Sequence, residues 1–217
     1  MNLIDYVRIL ARRGWILLLA MVLTAGSAYV FSKLQTPIYR ATQQILIKPS
    51  RPDLGLTDSL KQLETSWAQR THTELRAKDA IDALKLDMTP AQLYNQVNIT
   101  PDLNSLQIVV DVNMTNGDLA NQVARVYGTQ FVEWRNQENQ PLRNEDRISA
   151  ELLDYPKYAQ FQPNTAVNVA AGALLGLLVG GVIVFILEFI DSNVVRRAND
   201  VERYLQLPVL GNLPELQ

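Results

Sequence analysis

The sequence contains no cysteine and a single histidine, His72. The missing cysteines exclude a disulfide framework, a thiolate metal site and a cysteine nucleophile. With a single imidazole, neither a histidine-based metal centre nor a Ser-His-Asp triad within one chain is expected. No Gly-x-x-x-x-Gly-Lys-Ser/Thr loop occurs, so the phosphate cradle of a nucleotide kinase is missing. There is no excess of basic charge: 20 Lys and Arg face 22 Asp and Glu, a net charge of -2, and nucleic acid is not an expected partner. Repeats and low-complexity segments are absent. The carboxylate pairs Asp79/Asp82 and Glu145/Asp146 fall in charged stretches that read as solvated helix face or loop. His72, between Thr71 and Thr73, reads as an exposed polar residue on a helix. No catalytic residue, metal ligand or cofactor is therefore expected, and the chain is not expected to be an enzyme.

What the sequence has is two long apolar runs separated by a polar middle, which is why its mean hydropathy lies near zero. Residues 166–187 carry no charge and hold thirteen Leu, Ile, Val or Phe among 22 positions. As a helix they extend about 33 Å, enough to cross a hydrocarbon core of about 30 Å. Those thirteen side chains favour insertion by roughly 4–8 kcal/mol. A soluble helix of this length would carry a polar face, and this one has none. Gly172, Gly176 and Gly180 recur every fourth position, a small-xxx-small face that lets another helix approach closely in lipid. Glycine is also simply frequent in membrane helices.

Residues 14–32 form the other uncharged run, roughly 28 Å as a helix. A signal peptide competes as a reading. The run exceeds the usual signal core, and no small-x-small cleavage site follows it at Lys33 to Pro37, so an uncleaved first span is expected. Ala20, Thr24 and Ala28 again sit four apart, a narrow face suited to the glycine face of the second span. Arg8, Arg12 and Arg13 precede the first span, and Arg196, Arg197 and Arg203 follow the second. The ends between them carry only Lys33, Arg40 and Lys157. The positive-inside rule then places both termini in the cytoplasm and the middle outside. Trp15 and Tyr29 read as interface anchors of the first span.

The middle is long enough for one small domain with its own core. Residues 38–48 alternate as a strand, with Tyr39, Ala41, Ile45 and Ile47 on one face. Leu56, Leu60, Leu63 and Trp67 then recur at helical spacing, and Leu75, Ile81 and Leu84 continue it, as one helix or two starting near Thr57. Thr89-Pro90 is a cap followed by proline at the first helical position, giving a short helix over 90–96. Residues 97–100 are a short strand with a turn at Pro101-Asp102 and Asn104. Residues 105–113 alternate, with Leu106, Ile108, Val110 and Val112 facing in. Asn116-Gly117-Asp118 turns into a helix striped with Leu119, Val123, Tyr127, Phe131 and Trp134. The pattern strand-helix-helix-strand-strand-helix predicts an α+β domain flanked by two transmembrane helices. Core packing outweighs sugar stacking as the role of Trp67 and Trp134. From Arg135 onward the sequence turns polar, punctuated by Pro141, Pro156 and Pro163.

After Glu188 the sequence offers a capped helical turn with Val201, Tyr204 and Leu205 as an apolar strip. An extended segment follows through Pro208, Val209, Leu210, Gly211 and Pro214. Such a tail buries too little by itself and reads as a docking element or as disordered. At this point the residues match a family. Leu3-Ile4-Asp5-Tyr6 with Arg12-Arg13-Gly14-Trp15, then Tyr39-Arg40-Ala41, form one block of likeness. Residues 105–113 with 116–134 form another, and 172–181, 188–191 and 200–211 the third. Together these resemble the Wzz-type polysaccharide co-polymerases, or chain-length determinants. The chain looks most like the short membrane adaptors of bacterial tyrosine kinases in capsule and exopolysaccharide synthesis.

The resemblance implies a non-catalytic protein of the bacterial plasma membrane that oligomerises with its own copies in the lipid bilayer. It implies regulation of the chain length or export of a capsular, exo- or lipopolysaccharide, with a polysaccharide polymerase and the glycan chain as partners. It further implies that a separate cytoplasmic tyrosine kinase docks on Val201, Tyr204, Leu205, Pro208, Val209, Leu210, Gly211 and Pro214. Arg196 and Arg197 then either fix topology against anionic lipid, with Arg12 and Arg13, or touch that kinase. The long helical hairpin of many members has no room in residues 141–163, and the proline-rich stretch before the second span is reduced to Pro156 and Pro163. The expected organisation is a cytoplasmic N-tail (1–13), a first span (14–34), an extracytoplasmic α+β domain (35–163), a second span (164–187) and a cytoplasmic docking tail (188–217). A two-span extracytoplasmic ligand sensor shares that plan and remains the alternative. A polysaccharide hydrolase or transferase would need a convergent set of acids or a nucleophile–base pair, which the residues do not supply.

Overall fold

A computed structural model describes residues 3–51 and 54–192. It divides into two compact units: Gln35–Pro163, and the terminal segments on either side of it in sequence.

The central unit is built on a mixed arrangement of five strands and four helices among the described residues. Strand β1 (Ile38–Pro49) is its axis. One edge of β1 pairs antiparallel with β3 (Gln107–Met114), which pairs in turn with β2 (Val97–Asp102). Its other edge is shared: β5 (Lys157–Gln162) takes the first half of β1, and β4 (Ile148–Leu152) takes the second. Alternation dictates the two faces. Ala41, Gln43, Ile45 and Ile47 of β1 are buried, as are Ile108, Val110, Val112 and Met114 of β3. The opposite face is polar, with Thr42 Oγ1 donating to Asp111 (2.5 Å) and Arg40 Nε donating to Asn113 Oδ1 (2.8 Å). One covered face and one wet face make a two-layer α+β unit.

The helices that cover it are defined by their ends. Helix α2 (Leu54–Thr71) stops at His72, and α3 (Glu74–Leu84) begins on Thr73, whose hydroxyl accepts from Arg76 N at 3.3 Å. The left-handed Lys85 (φ 54°) closes α3, its N–H donating to Ile81 O. Helix α4 (Pro90–Gln96) carries a complete capping box between Thr89 and Gln92. Asn116 caps α5 (Gly117–Asn139), accepting from Asp118 N and Leu119 N. Val123, Ala124, Tyr127 and Phe131 of α5 are buried against the sheet. A Cβ on Gly128 would come within 2.8 Å of Leu152 Cδ2 and 2.9 Å of Gln43 Cγ, so glycine spares both side chains a shift where α5 lies against β1 and β4.

Three expectations are corrected here. The stripe Leu56, Leu60, Leu63, Trp67 holds at Leu60 and Trp67 and fails at Leu63, which is exposed while Glu64, Ala68 and Thr71 turn inward; the side chain of Leu56 lies outside the described residues. Leu75 is exposed as well. Trp67 and Ala68 together set the facing angle, so position 64 is carried inward at the i, i+3, i+4 spacing. Second, the polar stretch after Trp134 holds the end of α5, a short 3-10 turn (Asn144–Asp146), β4 and β5. The observed order is therefore longer than strand-helix-helix-strand-strand-helix. Both added strands are short, and β5 is exposed on both faces, so alternation gave no signal; they exist because β1 has an edge to satisfy. Third, β2 runs through Pro101 and Asp102, and its turn to β3 lies beyond them.

The terminal unit consists of α1 (Leu3–Leu34) and α6 (Thr165–Ser192). Each contains a stretch long and apolar enough to cross a membrane, Arg12–Leu34 and Thr165–Asp191.

Candidate functional site

The terminal unit has the more distinctive geometry. Helices α1 and α6 run antiparallel, and small residues line the contact. A Cβ built on Gly172 would lie 2.7 Å from Ala28 Cβ and 3.0 Å from Thr24 O. On Gly176 it would collide with Thr24 Oγ1 and reach 2.6 Å from Met21 Cα, and on Gly180 it would lie 3.1 Å from Ala20 Cβ. Thr24 spends its hydroxyl on its own helix, donating to Ala20 O (2.9 Å) and Met21 O (3.1 Å), and so offers Gly176 no unsatisfied donor. The backbones meet where side chains vanish.

Polar contacts close both ends of this seam. At one end Arg13 bridges two carboxylates of α6, Glu188 at 3.4 Å and Asp191 through Nη2. At the other, the buried Ser32 donates to Thr165 Oγ1 (3.1 Å) and accepts from Asn168 Nδ2 (3.2 Å). Arg13 and Ser32 are 19 residues apart on one helix, about 28 Å of rise, close to the thickness of a hydrocarbon core. Between them Leu18, Val22, Leu23, Val30, Phe31, Leu178 and Phe185 are all exposed, while Leu17 lies against Gly180 and Val184 is buried. Arg12, by contrast with Arg13, is exposed. Arg196, Arg197 and the tail positions Val201, Tyr204, Leu205, Pro208, Val209, Leu210, Gly211 and Pro214 lie outside the described residues.

In the central unit the chemistry is sparse but not uniform. No group of three or more His, Asp or Glu that could hold a metal occurs among the described residues. Asp82, Glu145 and Asp146 are exposed, and Asp79 meets Arg76 at 3.5 Å. His72 is corrected: it is half-buried between α2 and α3, its ring stacked on Tyr94 (4.1 Å) with Nε2 3.2 Å from Tyr94 O. Trp67 packs edge-on to Trp134 (6.3 Å), and the Arg135 guanidinium lies 4.3 Å over the Trp67 ring. That arginine is buried, and burial pulls its pKa below the ordinary value. It donates to Ile148 O (3.3 Å), beside Asn139, whose Nδ2 donates to the same carbonyl (2.8 Å) and whose Oδ1 accepts from Ile148 N (3.2 Å). Arg135 and Asn139 thereby anchor β4, a role invisible in a sequence that merely turns polar there.

Glu64 is fully buried on α2, and neither carboxylate oxygen has a hydrogen-bond partner among the described residues. Burial first, then the negative charge of Asp102, pushes its pKa from 4.5 up to about 7, while Lys61 pulls it down. Finally, an open cleft of about 340 Å³ lies where α4 ends and β3 passes into α5. Four of the residues lining it, Asn95, Gln96, Asn113 and Asn116, carry side-chain amides.

A family model described as Wzz, chain length determinant protein, matches residues 1–127. The capsular polysaccharide biosynthesis protein CpsC of Streptococcus pneumoniae is 25% identical, over 99% of this chain and 94% of that protein. The probable capsular polysaccharide biosynthesis protein YwqC of Bacillus subtilis (strain 168) is also 25% identical, over 91% and 82% of the two chains. The capsular polysaccharide biosynthesis protein CapA of Staphylococcus aureus (strain Mu50 / ATCC 700699) is 24% identical, over 98% and 96%.

Proposed function

The chain belongs to the Wzz chain length determinant family, and from that membership we propose that it is a non-catalytic membrane co-polymerase and adaptor. In this reading it takes part in building a surface polysaccharide and sets how long the glycan grows or how it is exported. The observation that carries it is the likeness, nearly end to end, to proteins named for capsular polysaccharide biosynthesis. The helix pair supplies the physical means. Its apolar exterior suits lipid, its small-residue seam holds two spans together, and its polar closures stand a bilayer thickness apart. With basic residues flanking both helices on the same side, the termini are cytoplasmic and residues 35–163 extracytoplasmic.

Copies of the chain assemble in the bacterial plasma membrane, and the tail beyond α6 docks a separate cytoplasmic tyrosine kinase. The chemistry belongs to that kinase and to a polymerase. Arg13 ties the start of the first span to Glu188 and Asp191, where the chain leaves the second. Any change in how the spans pack is thereby felt at the root of the tail. Coupling between assembly outside and kinase state inside would be reciprocal.

The test is co-purification from membranes in mild detergent, comparing the full chain with one ending at Arg197, alongside the polysaccharide length of a strain lacking the chain. A kinase that accompanies only the full chain, with both versions oligomeric and an altered glycan length in the deletion, is the expected result. No kinase with either version would end the adaptor reading, and an unaltered glycan would end the chain-length reading.

A further inference from the structure

We propose that the outer edge of β5 is where two copies of this chain join, each adding its β5 antiparallel to the other's. The choice of a second copy rests on the assembly proposed above; the choice of edge rests on the sheet.

The N–H and C=O groups along every strand edge need partners. Two bonds fix which residues of each strand turn outward. Ile47 N donates to Leu106 O (2.8 Å), and Leu153 N donates to Gln44 O (3.1 Å). The backbone groups of odd positions in β1 therefore face β3, and those of even positions face β4 and β5. Even positions of β3 answer β1, and its odd ones meet β2 at residues 98, 100 and 102.

All but one of the sheet's edges are interrupted. On β2 the outward residues are Val97, Ile99 and Pro101. Val97 spends its N–H on α4, and Pro101 has none. On β4 the outward Ile148 is capped from α5: its N–H donates to Asn139 Oδ1 (3.2 Å), and its carbonyl accepts from Asn139 Nδ2 (2.8 Å). β3 outruns β2 only at its end, where Asn113 is the single outward residue of the strand past Val112. One residue beside the end of α4 is too short to hold an added strand. β5 is different. By the same alternation Tyr158 and Gln160 turn outward, and neither has a backbone partner on that side among the described residues. All six residues of β5 are exposed, so nothing covers the edge.

The strand is also held ready by its own sheet. Tyr158 packs edge-on to Tyr39 (5.6 Å), and the Arg40 guanidinium lies 3.4 Å from the centre of the Phe161 ring. Such an edge needs little ordering when a partner arrives.

The edge is complementary to itself. With Ala159 on a two-fold axis, Tyr158 of each copy pairs with Gln160 of the other and exchanges both backbone bonds. The smallest side chain of β5 then stands where the copies meet most closely. Lys157, the one charged residue of β5, falls across from the partner's Phe161. The two lysines stay about 13 Å apart, beyond the roughly 8 Å over which exposed charges act at physiological salt. A second copy supplies this register by symmetry, whereas an unrelated strand would have to reproduce it.

The test uses the full chain in bacterial membranes, where the missing cysteines make single cysteines informative. Ala159→Cys is expected to cross-link to itself on oxidation, because residues facing each other in a non-hydrogen-bonded antiparallel pair lie about 4.5 Å apart. Thr100→Cys, exposed on β2, is the collision control, expected at roughly a tenth of that yield or less. Gln160→Pro removes an outward N–H and spares the bonds of Lys157 and Ala159 to β1. It is expected to lower the Ala159→Cys yield about tenfold. Should it fail to keep its circular dichroism, Lys157→Cys and Phe161→Cys copies are mixed; the two-fold register links them to each other and not to themselves. No self-link at 159, equal yield at 100, undiminished yield with folded Gln160→Pro, or capture of a different protein at 159 would each overturn the proposal. So would Lys157→Cys or Phe161→Cys linking to itself in place of the other. The size of the parent chain in mild detergent is scored separately. If it is oligomeric but position 159 does not link, the edge falls and assembly stands; if it is monomeric and nothing links, assembly falls and the edge with it.

Discussion

The two units of this chain place the same residue types in opposite positions. In the central unit the large apolar side chains are inside: Tyr127, Phe131, Ile45 and Leu60 are buried, and Arg40, Thr42, Asp111 and Asn113 of β1 and β3 face outward. In the helix pair the small ones are inside. Ser32, Gly172, Gly176 and Gly180 are buried, while Leu18, Val22, Phe31, Leu178 and Phe185 are exposed. Water drives the first arrangement, since each apolar side chain hidden from it contributes roughly 1.5–3 kcal/mol. No such force acts between helices in lipid, where Leu is as content outside as inside, and close backbone approach and hydrogen bonds decide instead. The distribution of size, more than of polarity, marks which solvent each unit was built for.

That contrast can be broken at its strongest point first. Phe131 is buried in the central core and packs edge-on to Trp134 at 5.5 Å. Phe131→Ala is expected to cost about 3–5 kcal/mol, read as a lowered thermal midpoint by circular dichroism. A loss below 1 kcal/mol would mean that this unit is not held by a water-excluding core.

A smaller effect sharpens the contrast from the polar side. The folded pKa of Glu64, about 7, lies above its ordinary 4.5, so the folded state holds the proton more tightly than the unfolded chain. Stability from this group is fullest below pH 4.5 and declines as pH rises through 7. Glu64→Gln cannot ionise. It is expected to raise stability at pH 8 by up to about 3 kcal/mol, at 1.36 kcal/mol per unit, and to change little at pH 4.5. A variant less stable than the parent at pH 8 would show that the carboxylate has a partner in the fold.

The smallest effect tests the seam. Gly176→Leu forces a side chain into Thr24 and Met21, a strain of about 1–3 kcal/mol. Because the chain has no cysteine of its own, a Ser32→Cys, Thr165→Cys pair can report on the helices by oxidation in membranes. Cross-linking is expected in the parent background and strongly reduced with Gly176→Leu. Undiminished cross-linking would leave the glycines without a packing role.

Much of the fold was legible because its signals are local. Alternation marked β1 and β3, and Thr89-Pro90 and Asn116-Gly117 marked the starts of α4 and α5. What escaped depends on partners distant in sequence. Strands β4 and β5 are paired to β1 across about a hundred residues, and nothing in Ile-Ser-Ala-Glu-Leu announces that edge. Arg135 and Asn139 look like the end of a helix turning to solvent, and are buried because Trp67 and Ile148 arrive from elsewhere. The same holds for the candidate sites. Arg13 reads as one of several flanking charges until Glu188 and Asp191 are brought to it. The amides of the cleft lie in two separate stretches, 95–96 and 113–116, and form no motif.

The claim on which the rest stands is that the helix pair spans a membrane with residues 35–163 outside. Single cysteines at Tyr155 and at Arg12, both exposed positions, would be tested in intact cells with a membrane-impermeant maleimide. Labelling at 155 in intact cells, and at 12 only after lysis, is the expected outcome. Labelling at 12 in intact cells, or at 155 only after lysis, would contradict it.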